Sequence, residues 1–67
     1  MIIIEQHKII VEDYLSIQLI SEEKIVINCK QYVLEIDGTS LMVSGLNKYE
    51  IIIKGTFGGL IFHETNA

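Results

Sequence analysis

Lys24-Ile25-Val26-Ile27-Asn28-Cys29-Lys30-Gln31-Tyr32-Val33-Leu34-Glu35-Ile36-Asp37-Gly38 decides the fold class. Successive side chains of a strand point to opposite sides. Ile25, Ile27 and Cys29 therefore share one side, and Tyr32, Leu34 and Ile36 share one after the polar break at Lys30-Gln31. Asp37-Gly38 then opens a turn, because Gly accepts positive φ without steric cost. These are two short β-strands, one after the other.

The same rhythm extends in both directions. Polar breaks at Glu12-Asp13, Ser21-Glu22-Glu23, Asn47-Lys48 and Gly55 to Gly59 cut the chain into apolar runs. Their spacing, about eight to nine residues, is that of an all-β domain. Leu41 and Val43, then Tyr49, Ile51 and Ile53, continue the core side. Ile occurs fourteen times, and the hydrophobic share is 49%. Such β-branched side chains are stiff at χ1 and pack well on a pleated surface. The alternation slips by one residue across Phe57-Gly58-Gly59-Leu60, which predicts a bulge that bends the last strand. The helical candidate Val11 to Ile20 suits a strand equally well. The expectation is one domain over residues 1–67. Its fold is a small antiparallel meander of six to seven short strands, sandwich- or barrel-like. A short β-solenoid is the alternative, since even strand spacing suits it too, although about three coils leave little besides caps.

A chain of 67 residues supports one core. Ordering costs about 1.5 kcal/mol per residue, and small domains often add disulfides, a metal or a second subunit. Cys29 is the only cysteine, so no internal disulfide forms. A dense apolar core, self-association, or both must compensate. A second apolar stripe favours self-association: Ile10, Val26, Val33, Met42 and Ile52 interrupt the otherwise polar side of their strands. Either a second layer of the domain or another chain covers them. A homo-oligomer, with a dimer favoured, is expected, and these five residues are its candidate interface.

The remaining chemistry is sparse. Net charge is −4, with five Lys and no Arg spread among nine carboxylates. That balance excludes a phosphate-binding patch, and so nucleic acid, and disfavours anionic membrane surfaces. Met1–Ile4 is apolar but too short to span a membrane and carries no leader signature, so a cytoplasmic location without membrane insertion is expected. His7, His63, Glu64 and Cys29 lack metal-ligand spacing; at most His7 and His63 would meet if the first and last strands were neighbours. Cys29 lies on the apolar side with no His nearby in sequence, and reads as an inert thiol. Gly55-Thr56-Phe57-Gly58-Gly59 lacks the Lys-Ser/Thr of a phosphate loop. The carboxylate pairs Glu12-Asp13 and Glu22-Glu23 fall in solvated turns, whereas acid/base chemistry needs one carboxylate desolvated in a cleft, and they read as solubilising loops. No catalytic residue, metal or cofactor is expected, and the chain is read as a non-enzyme.

As a whole the pattern resembles the YabP/YqfC family of small sporulation proteins. The resemblance rests on Val33-Leu34-Glu35-Ile36-Asp37-Gly38 with Leu41, Val43 and Leu46, and on Glu50-Ile51-Ile52-Ile53-Lys54-Gly55 with Phe57, Leu60 and Phe62. Upstream, Ile9, Val11, Glu12-Asp13-Tyr14, Ile17 and Ser21-Glu22-Glu23 sit where the family has a strand, a polar bend and an acidic turn. Ser16 stands where relatives are expected to carry Gly. The polar, basic N-terminal extension common in the family has no counterpart here, as expected of a short or trimmed member. The resemblance implies a role in endospore formation, in the mother-cell compartment, with a membrane protein as partner and no catalytic residues to carry over. A protein-interaction or assembly module is the expected function. The alternatives are a self-polymerising structural spore component and a small metal- or ligand-binding protein.

Overall fold

The computed structural model describes residues 1–65. They form six strands: β1 (Ile2–Ile4), β2 (Lys8–Glu12), β3 (Ser16–Ile20), β4 (Lys24–Asn28), β5 (Tyr32–Leu46) and β6 (Glu50–Glu64). All pairings are antiparallel, in one open sheet of order β1-β2-β6-β5-β4-β3, and none of the described residues is helical. The all-β meander is as expected. The solenoid is not, and the sheet does not close into a barrel.

Chain length dictates the shape of this sheet. β2 and β3 lie four strand positions apart in the order, about 19 Å in a flat sheet. Only Asp13, Tyr14 and Leu15 connect them, and the four Cα steps from Glu12 to Ser16 reach at most about 14 Å. The sheet must therefore fold over itself. Its inner faces meet in one cluster that includes Ile9 and Val11 of β2, Ile25 and Ile27 of β4, and Ile51 and Ile53 of β6, each fully buried. Each such side chain contributes roughly 1.5–3 kcal/mol by leaving water. The β2–β3 corner is fastened to the residues that link β5 and β6. Asp13, at φ 62°, donates its N–H to the Tyr49 carbonyl at 2.8 Å, and the Tyr14 hydroxyl donates to the Asn47 carbonyl at 2.8 Å.

The fold line crosses the two long strands. Thr39 opposes Thr56 and Met42 opposes Lys54, so Ser40 and Leu41 face Gly55 alone. This is a β-bulge with Ser40 at φ 54° and Gly55 at φ 149°. A Cβ on Gly55 would lie 2.9 Å from the Ser40 carbonyl oxygen, and one on Gly38 would collide with the carbonyl of Thr56. The bent backbone still has partners. Gly38 donates to the Glu23 carbonyl at 3.0 Å and Leu41 to that of Glu22 at 2.8 Å. The acidic turn is itself held by the Ser21 hydroxyl, which accepts from the Lys24 amide at 2.9 Å.

Several local expectations change. Asp37-Gly38 is not a turn, and Gly55 to Gly59 is not a break: both lie inside continuous strands. The glycines serve close approach and bending rather than reversal. The bulge near Phe57 is present, with Gly58 unmatched between the pairs Asp37–Gly59 and Gly38–Phe57. Tyr49 is 67% exposed rather than core. It sits in the β5–β6 hairpin, where the Asn47 side chain accepts its amide at 2.8 Å. Ile9 and Val11 join the core, and Met1–Ile4 contributes β1.

Gly38→Ala should lower stability by about 1–3 kcal/mol, because an added methyl would collide with the Thr56 carbonyl, which is backbone, as well as with the Leu41 side chain. Gly59→Ala, with no atom within 4 Å of the added Cβ, should change it by no more than about 0.5 kcal/mol. Urea unfolding midpoints of the two variants check this. Equal destabilisation would show that the close approach is not what constrains the bend.

Candidate functional site

Among the described residues the fold encloses no pocket and gathers no group of three metal-ligating side chains. The separate candidates lie apart. His7 places Nδ1 3.2 Å from the Gly55 carbonyl oxygen, whereas His63 lies eight residues further along the same strand, up to about 26 Å away. His63 instead meets Glu35, at 3.2 Å. Cys29 is buried, and burial pushes its thiol up, with the Tyr32 hydroxyl opposing in part. The thiol therefore stays protonated at neutral pH and is a poor nucleophile. Ser16 accepts a hydrogen bond from the Asn28 side-chain amide at 2.9 Å, tying edge strand β3 to β4. Glu22, Glu23 and Asp13 are exposed and Glu12 half-buried.

What the fold does build is surface. Register divides the second apolar stripe between two outer faces. Ile10 and Ile52 oppose each other on β2 and β6, with Ile3 opposite Ile10, and Met42 lies in the next row beside Lys54. Val26 and Val33 belong to the outer face of the other half, opposite Glu35 and Asn28 respectively. The five residues thus do not form one continuous patch. Met42 is exposed, and the other four are half-buried.

Around Val26 and Val33 runs an ionic cluster. Lys24 lies 3.5 Å from Glu35 and 3.9 Å from Asp37, and His63 approaches Glu35 from β6. The His63 hydrogen bond, with Lys24 beside it, holds the Glu35 carboxyl below its usual range, against a smaller opposing effect of burial. Sequence spacing gives no sign of this cluster, because Lys24, Glu35 and His63 meet only through the β4–β5 and β5–β6 registers.

An open edge is the other surface. β2 covers β6 only as far as Lys54, and Gly55 then donates to the His7 carbonyl at 3.2 Å. From residue 56 to residue 64, β6 has no strand on that side among the described residues. Thr65 donates to the Gln31 carbonyl at 3.2 Å. Ladder alternation from that bond turns the backbone groups of Leu60, Phe62 and Glu64 towards the open side. Phe62 is 51% exposed and packs edge-on against Tyr32, with ring centroids 5.1 Å apart.

An open, folded antiparallel sheet whose exposed chemistry lies on faces and an edge defines a small all-β domain built around surfaces. The YabP family model matches residues 1–67, and the chain belongs to that family. Membership points to a sporulation-related role. No match is found among the curated proteins or among the solved structures.

The depressed Glu35 pKa makes the ionic cluster pH-dependent. A carboxylate held below its unfolded value, about 4.3, contributes stability above that pH and loses it as pH falls through the folded value. Wild type should therefore exceed Glu35→Gln in urea midpoint at pH 6, and the gap should close below about pH 4. A gap independent of pH would show that the charge on Glu35 contributes nothing.

Proposed function

We propose that this chain is a non-enzymatic protein-interaction module acting in endospore formation. The observation that carries the reading is the open β6 edge with exposed Phe62 at its end. Unpaired strand edges recruit another chain through main-chain hydrogen bonds, with alternate side chains supplying specificity. Sporulation-related family membership supports the process. The family resemblance adds a membrane protein as the partner and the mother-cell cytoplasm as the place. No helix among the described residues is long and apolar enough to cross a membrane.

Phe62→Pro separates this role from folding. The amide lost at Phe62 faces the open side, where proline is tolerated on an edge strand. The variant should keep the far-ultraviolet circular dichroism spectrum of wild type. In a spore-forming host whose own copy is removed, it should leave heat-resistant spore counts as low as an empty vector does. Full rescue by a folded Phe62→Pro chain would overturn the edge as the working surface.

A further inference from the structure

The outer face formed by β1, β2 and the first part of β6 carries charges that the single chain leaves uncompensated. Three rows cross it. The middle row is apolar, with Ile3 beside Ile10 and Ile10 beside Ile52. On one side Lys8 directly opposes Lys54, and on the other Glu12 directly opposes Glu50. Like charges opposite one another across a ladder are destabilising. Lys8 has Glu5 at 3.8 Å, whereas Lys54, Glu12 and Glu50 have no ionic partner among the described residues. Two repulsive pairs therefore flank an apolar strip of which Ile3 alone is 38% exposed.

We infer that this face binds a second copy of the same chain, about a twofold axis running along the Ile3–Ile10–Ile52 row. Rotation about that axis turns the face onto itself and exchanges its two flanks. Lys8 of one copy then faces Glu12 of the other, and Lys54 faces Glu50. The isoleucine rows meet in the middle, and each pair that is repulsive within the chain gains opposite charges across the interface. This self-complementarity is what a twofold interface requires, and opposed charge rows also fix its register. The face measures roughly 14 Å across three strands and 17 Å along five residues. That is smaller than a standard specific interface, so the pairing is of the weak, transient kind. The dimer rests on the charge rows and not on the proposed role in sporulation.

Two single charge reversals test it. Lys54→Glu relieves the repulsion from Lys8 within the chain, and Glu50→Lys relieves that from Glu12, so neither variant should unfold more easily than wild type. Each should nevertheless weaken self-association by about tenfold or more, because a like pair now recurs twice across the interface. Mixed in equal amounts, the two variants should associate again, because the carboxylate introduced in one copy faces the ammonium introduced in the other. Sedimentation velocity over a concentration series reads all three cases, and urea midpoints confirm the folds. A wild type that stays monomeric up to about 0.5 mM, the weak end of specific association, would overturn the inference. So would two variants that each associate as wild type does, or a mixture that fails to recover.

Discussion

Everything in this molecule depends on how closely β5 and β6 approach where the sheet folds. At that line a Cβ on Gly38 would occupy the space of the Thr56 carbonyl, and Gly55 lies against the backbone of Ser40 and Leu41. With no side chain at either glycine, the two long strands bend together without losing their pairing. The bend brings the inner face of β2 onto that of β4, so that Ile9 and Ile25 enter one core. An unbent six-stranded sheet would leave those faces in water. A chain this short has no other layer to cover them.

The same residues explain which parts of the fold are legible in the sequence. Alternation in residues 24–36 locates strands and faces, because period-two burial is a local property. The glycines mislead, because Asp37-Gly38 has the composition of a turn whether the chain reverses or merely bends. Only the distant Thr56 distinguishes the two cases, by occupying the space where a side chain would have been. Tyr49 fails for a related reason. Alternation carried back from Ile51 crosses the end of the strand, where Asn47 holds a hairpin instead.

The surfaces are less legible because they are products of register. Ile10, Val26, Val33, Met42 and Ile52 share a side of their own strands, but a folded sheet has two outer sides, and the stripe divides between them. Conversely, Lys8 and Lys54 are far apart in sequence and directly opposed in the sheet. Their repulsion, like that of Glu12 and Glu50, exists only once β2 has paired with β6. Nothing local links the members of either pair, so a sequence reading has no reason to set Lys8 against Lys54 or Glu12 against Glu50.

The open face and the open edge occupy different stretches of one strand. Glu50, Ile52 and Lys54 belong to the face, and the backbone from residue 56 onward to the edge, with the bend at Gly55 between them. Self-association through the face would therefore leave the edge of each copy uncovered. A twofold dimer of this kind would present two identical strand edges, each joined to the interface through β6. Two linked sites engage a clustered or repetitive partner more tightly than either does alone, provided the spacing lets both bind together. Weak pairing through a small face would then suffice, because the second edge would meet the partner at a high effective concentration once the first was engaged. On this arrangement the like-charge pairs would cost the single chain stability and in return fix the register of the dimer.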